Sequence, residues 1–210
     1  MLVAGDNAEP VFDNAVEAVG RWLAARGVPT ADIHRLSATQ EPRDPTSEPA
    51  SAELVLRRIA SLRPRAGERC LVFITSHGRE GAGIWLAASR EYLRPASLAQ
   101  ALSIGCAGVP TVVILSGCYS GAFTKGAMRA PNRIILTAAR ADRPSFGCQA
   151  DRTYTVFDEC LLASLPRAET WRAVHATSLA CVREREQRLH VLPSQPQASF
   201  GAAVRDLPVR

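Results

Sequence analysis

Two segments join an apolar run to reactive side chains at its end. In "CLVFITSHG" the run beginning at position 70 gives way to Ser76, His77 and Gly78, and in "TVVILSGCYSG" the run beginning at 111 gives way to Gly117, Cys118, Tyr119, Ser120 and Gly121. A structural cysteine packs inside such a run as a small hydrophobe. Cys118 stands just past one. A thiol nucleophile needs a group that can take and return a proton, and imidazole does both near neutral pH. If the two runs are neighbouring strands, His77 and Cys118 meet at one edge, and the pair fits thiol catalysis.

The flanking residues suit the same chemistry. Gly117, Ser120 and Gly121 keep the surroundings of Cys118 small, and the backbone amides of Gly78 and Cys118 are candidates for an oxyanion hole. A strand that turns into a helix after Cys118 would also place the positive end of that helix at the thiol. Single histidines and cysteines are more often packing residues than catalysts, and His34, His175 and His190 are read that way. Ser76, Ser116 and Ser120 are nearby hydroxyls, but "GCYSG" puts Tyr119 at the middle position of a G-x-S-x-G type elbow, which excludes that arrangement.

Such a pair must be positioned by a scaffold. Short apolar runs alternate with helical patterns along the chain, the signature of a mostly parallel sheet covered by helices. The expected strands are "LVAG" (2–5), "DIHRL" (32–36), "CLVFITS" (70–76), "TVVILS" (111–116), "RIILTAA" (133–139) and "ASFGAAV" (198–204). Apolar residues at three- and four-residue steps from Phe12 to Leu23 predict a first helix, closed by Gly27 and Pro29. Others are expected over 48–62, after the loop "TQEPRDPTSEP", from Pro95 onward, and on either side of Pro166. In an open α/β sheet, ligands bind beyond the carboxyl ends of the strands, where His77 and Cys118 fall.

The bulk composition bounds the rest. A chain of 210 residues, 47% hydrophobic and 21% charged, has the composition of one folded domain over 1–210. Met1 abuts the apolar Leu2 directly, which leaves room for a first strand clipped at its start and for a targeting segment upstream. The net charge is +5, but the densest basic group, Arg57, Arg58, Arg63, Arg65 and Arg69, lacks interleaved aromatics and reads as a solvated face rather than a nucleic-acid surface. The six cysteines show no C-x-x-C spacing, so neither a metal site nor a disulfide scaffold is indicated. Cys70, Cys160 and Cys181 read as core residues. No stretch is long and apolar enough to span a membrane, and no secretory pattern opens the chain; the expected location is cytoplasmic.

"FITSHG" and "VVILSGCYSGAF" resemble the histidine and cysteine blocks of the legumain-like (C13) cysteine peptidases, in the wider group that includes caspases, metacaspases and gingipains. A third block, "IILTAARADRPSFGC" (134–148), sharpens the resemblance to the C13 type. The opening "LVAGDNAEPVFDNAV" and closing "PSQPQASFGAAV" are similar to bacterial members. The resemblance implies a caspase-like three-layer α/β sandwich with a six-stranded, mostly parallel sheet and helices on both faces. It implies a catalytic dyad of His77 and Cys118, a thioester acyl-enzyme, a peptide or protein substrate, and no metal or organic cofactor.

Specificity residues transfer less directly. Where legumains carry an arginine and a histidine after the first strand and an acid two before the cysteine, this chain has Asp13, Asn14 and Ser116. Ser145 and the Asp151-Arg152 pair are candidate pocket walls. Acids at Asp13, Asp142 and Asp151 make a basic residue before the scissile bond an option beside asparagine and aspartate. The chain ends soon after the last strand candidate, so the long C-terminal inhibitory region of eukaryotic legumains is not expected. Two other readings stand beside an endopeptidase: a ligase or transamidase using the same thioester, and a non-catalytic binding module on the same scaffold.

Overall fold

The computed structural model describes residues 1–41 and 44–209; Pro42 and Arg43, in the loop expected before the second helix, and Arg210 lie outside them. The elements are β1 (Leu2–Ala4), α1 (Val11–Ala24), β2 (Arg35–Ser37), β3 (Glu48–Pro49), α2 (Ala52–Ala60), β4 (Cys70–Thr75), β5 (Gly78–Arg79), β6 (Gly83–Leu86), β7 (Glu91–Leu93), α3 (Pro95–Gly105), β8 (Thr111–Ser116), β9 (Arg133–Thr137), α4 (Val156–Ser164), α5 (Trp171–Leu189) and β10 (Gln197–Phe200).

The central sheet has the order β10-β9-β8-β4-β1-β2-β3. Its pairings are parallel except β9 with β10. The chain builds outward from β1 to β2 and β3, then returns to the other side of β1 to lay down β4, β8, β9 and β10. The order therefore reverses between β1 and β4, and a crevice opens there at the carboxyl ends of the strands.

Strands covered on both faces read as unbroken apolar runs, and "TVVILS" is buried at all its residues. Alternate side chains feed two cores. On one face Val3, Val72, Ile74, Val113, Leu115 and Ile135 pack with α2 and α3. On the other, Leu2, Ala4, Phe73, Val112, Ile114 and Leu136 pack with α1, α4 and α5. The three-layer α/β sandwich expected from sequence is thus observed.

Three differences have physical causes. The central sheet has seven strands rather than six, the addition being the two-residue edge strand β3. A second sheet, β5-β6-β7, is antiparallel and inserts after β4. Its signal is the turn "EGAG", followed by Ile84 and Leu86 buried in alternation with half-buried Trp85. The strand expected over 32–36 begins only at Arg35, because Thr30–Asp32 form a 3-10 turn.

The cysteines require a correction. Cys70 and Cys106 form a disulfide between the start of β4 and the end of α3, and Cys160 and Cys181 form another between α4 and α5, with Cα separations of 6.0 and 5.6 Å. Cys70, Cys160 and Cys181, read as core residues, are bonded, and disulfides are present where the spacing indicated none. Spacing along the chain does not reveal which distant cysteines the packing of helices brings within bridging distance.

Candidate active site

Thr75 and Ser116 are register partners at the ends of β4 and β8. His77 and Cys118 each lie two residues further on, so the parallel pairing delivers both to one edge of the crevice. The backbones touch there. A Cβ placed on Gly78 would lie 2.0 Å from the Cys118 carbonyl oxygen and 3.2 Å from its nitrogen, and a Cβ on Gly117 would lie 2.7 Å from the Ser76 carbonyl oxygen. Only glycine allows the two strand exits to approach this closely.

The histidine side is held by regular structure. The His77 carbonyl accepts from Trp85 N–H at 2.9 Å, and Gly78 faces Ile84 across the β5–β6 pair. Because that pair bonds through its flanking residues, the Gly78 N–H sits at a position where the ladder makes no bond. The His77 ring meets the buried Phe12 ring edge-on at a centroid distance of 5.2 Å, so the first turn of α1 sets the imidazole plane.

The cysteine side is held by a distant loop. The half-buried Cys118 Sγ accepts from the Ser145 N–H at 3.3 Å and from its hydroxyl at 3.6 Å, and approaches the Ser145 carbonyl at 3.4 Å. Tyr119 adopts the left-handed conformation, φ 60°, and its N–H donates to the Arg143 carbonyl at 2.8 Å. For a bulky aromatic residue this conformation is uncommon and strained. It turns the chain sharply just after the thiol. No α-helix follows. Ser120–Thr124 form a short 3-10 turn, so the α-helical dipole expected at Cys118 is replaced by the Ser145 amide.

Of the other expected site residues, Ser145 and Ser116 stay with Cys118 and the rest lie apart from it. Asp13 lines a cavity of about 290 Å³ beside the β1 and β2 exits together with Glu9, Asn14, Thr39 and Glu41. Its carboxylate accepts from the hydroxyls of Ser37 at 2.7 Å and Thr39 at 2.5 Å. Ser145 lies against the thiol rather than on an outlying pocket wall. Ser116 is 2% exposed, part of the floor beneath the site rather than an open wall. Asp142 is turned to Arg140, which it holds through both carboxylate oxygens. Asp151 is exposed on a turn, and Arg152 pairs with Glu159 at 2.9 Å.

Two residues beyond the sequence reading join the site. Cys148 is a second free, half-buried thiol; burial raises its pKa first, with the charges of Cys118, Glu9 and Asp6 adding to the effect. Asp158, wholly buried, lies under both strand ends, and burial pushes its carboxyl up to about 6. The sequence signal for Asp158 was "TVFD", a threonine cap with an acid three residues later. Nothing in the sequence linked that acid to β4.

This sheet order, with a histidine and a cysteine at neighbouring strand exits, defines the caspase-like class of fold. The chain is similar to the solved structure of Caspase-1 from Spodoptera frugiperda, with a TM-score of 0.64 and 14% identity over 93% of this chain and 80% of that one. At that identity the likeness is one of fold. The profile of the Peptidase C13 family matches residues 57–181, more than half of the chain. The chain belongs to that family and is a legumain-like cysteine peptidase. A search of the curated proteins finds no significant match. Among the described residues, no helix is long and apolar enough to cross a membrane.

Proposed function

We propose that the protein is a cysteine endopeptidase in which Cys118 is the nucleophile and His77 the general acid and base. The observation that carries this reading is the contact of the two strand exits at Gly78 and Cys118. Cys118 gives its thiol proton to His77 as Sγ adds to the carbonyl carbon of the scissile peptide, and the N–H groups of Gly78 and Cys118 receive the oxyanion. As the C–N bond breaks, His77 gives a proton to the leaving amine, and a thioester remains. His77 then takes a proton from water as the water oxygen attacks the thioester. The carboxylic acid leaves and the thiol is restored.

Glu9 and Asp13 line the cavity beside the β1 and β2 exits, and this charge supports a basic residue in the substrate near the scissile bond. The two disulfides support folding in an oxidising compartment rather than the cytoplasm expected from sequence. The whole chain is read as a single peptidase unit.

The test is cleavage of a positional-scanning peptide library by the wild type and by Cys118→Ala, together with iodoacetamide labelling. Loss of cleavage in the variant and preferential alkylation of Cys118 are expected, with the best peptides carrying arginine or lysine before the cut. Unchanged cleavage by Cys118→Ala would sink the mechanism. Products joined to an added amine acceptor would identify the transpeptidase alternative.

A further inference from the structure

Asp158 is a buried acid with no part in the steps above. It occupies the third position of α4, after the cap Thr155, whose hydroxyl accepts the Asp158 N–H at 3.0 Å. An acid at this position ordinarily turns back to its own helix cap. Here Oδ2 instead accepts from the Thr75 hydroxyl, the last side chain of β4, at 2.8 Å. The hydroxyls of Ser116, the last residue of β8, and of Thr155 stand 3.5 Å apart, and both lie close enough to favour the ionised carboxyl. Oδ1 closes no well-formed hydrogen bond with either and has no partner among the described residues. Thr75 and Ser116 are register partners, and each stands two residues before a member of the proposed dyad.

We infer that Asp158 is a positioning residue: its carboxylate ties the terminal hydroxyl of β4 to the first turn of α4, whose cap Thr155 stands beside the terminal hydroxyl of β8, and so fixes the spacing of His77 and Cys118. This rests on the dyad reading. A packed core transmits small displacements, and shifting reacting groups by about 1 Å can lower a rate about a hundredfold without weakening binding. A carboxylate only accepts, so its ionised form takes the Thr75 hydroxyl proton; once protonated it must itself donate, and the set of bonds changes.

The acids on the helices packed around it have their own partners, Glu184 of α5 pairing with Arg188. On α1, Asp13 is held by Ser37 and Thr39 and Glu17 pairs with Arg21. On α4, Glu159 pairs with Arg152 and Arg185. On α5, Glu186 accepts the Ser194 N–H, and His175 packs edge-on against Phe200, its pKa lowered chiefly by burial. His77 and Cys118 stand above the clamp.

The test compares wild type, Asp158→Asn, Thr75→Val, Thr75→Ser and Cys118→Ala on one fluorogenic peptide. Asparagine stands in for the protonated acid. At pH 7 Asp158→Asn is expected to lower kcat about tenfold at unchanged KM, the size that loss of one charge-assisted bond produces. The ratio of wild-type to Asp158→Asn activity should rise from pH 5 to pH 7 with a midpoint near 6, the value to which burial raises the carboxyl. Thr75→Val should lose kcat to a similar degree, and Thr75→Ser should restore it to within about twofold, since it keeps the hydroxyl. A flat or falling ratio, or a Thr75→Val enzyme with wild-type kcat, overturns the clamp. If Asp158→Asn does not fold, the Thr75 pair decides. If Cys118→Ala still cleaves, it is the dyad reading that has failed; if that variant is dead while the others match wild type, only the clamp has.

Discussion

The strands that carry His77 and Cys118 leave the sheet side by side, yet they are held in different ways. Beyond β4 the chain enters a small antiparallel sheet within about twenty residues, and His77 is fixed by hydrogen bonds to its own near sequence. Beyond β8 it enters a strained turn and short 3-10 segments, and Cys118 is fixed by residues 143–145, which arrive only after β9. The His77 backbone is placed by local structure and its ring by Phe12 of α1, whereas the Cys118 thiol is placed by a loop that arrives after β9. A thiol placed this way depends on the loop after β9, so that loop's conformation becomes part of the candidate site.

Gly78 is where the two exits meet, and substituting it should blur the distinction most. Alanine there would put a Cβ 2.0 Å from the Cys118 carbonyl oxygen, so one backbone must move. Gly78→Ala is expected to lower kcat/KM about a hundredfold or more and to destabilise the fold by about 1–3 kcal/mol, read by peptide cleavage and urea unfolding. Wild-type activity in this variant would mean that the contact does not set the geometry.

Neither disulfide touches the exits, which separates stability from positioning. Replacing the cysteines of either pair with alanine should each lower stability by about 3 kcal/mol, because loops of 36 and 21 residues lose their closure. The kcat measured well below the new Tm should stay within about twofold of wild type. A disulfide variant that stays stable but loses kcat would show that the exits are held from a distance on both sides.

Beneath both exits, Asp158 ties stability to pH. Burial raises its pKa from 3.8 to about 6, so between those values the native state binds more protons than the unfolded chain. Stability therefore falls as pH rises through that window, by roughly 3 kcal/mol in all. The stability of Asp158→Asn relative to wild type should improve between pH 4 and pH 7 by that amount in denaturant titrations. An unchanged difference would mean that the carboxyl is not desolvated.

The smallest effect is the most specific to the cysteine side. Ser145→Pro removes the N–H that Cys118 Sγ accepts at 3.3 Å and should slow iodoacetamide alkylation of Cys118 about tenfold. Ser145→Ala removes only the 3.6 Å hydroxyl contact and should change the rate by less than about threefold. Equal effects would assign the role to the hydroxyl instead of the backbone.

Much of this was legible in the linear chain. Apolar runs such as "TVVILS" gave their strands because a strand buried on both faces must be apolar throughout, and the exits of β4 and β8 showed His77 and Cys118 because small and reactive residues broke those runs. The hairpin sheet leaves little trace in the sequence because its strands are two to four residues long, too short for a two-residue period to stand out. The disulfides and Asp158 were hidden for a different reason: each is a contact between elements far apart in sequence, and no local pattern encodes it. Asp142, an acid expected in the pocket, went instead to Arg140, two residues away, since a near partner closes an ion pair at little loss of chain entropy.

By itself, then, the sequence determined the layering of the fold, the family and the two side chains proposed for the chemistry, all of which follow from patterns of burial and residue type along one strand or helix. Only the tertiary structure decided that Ser145 meets the thiol, that Asp158 lies beneath both strand ends, and that four cysteines are paired. Those contacts depend on how helices and loops settle against a completed sheet, where distance is set by packing and not by separation along the chain.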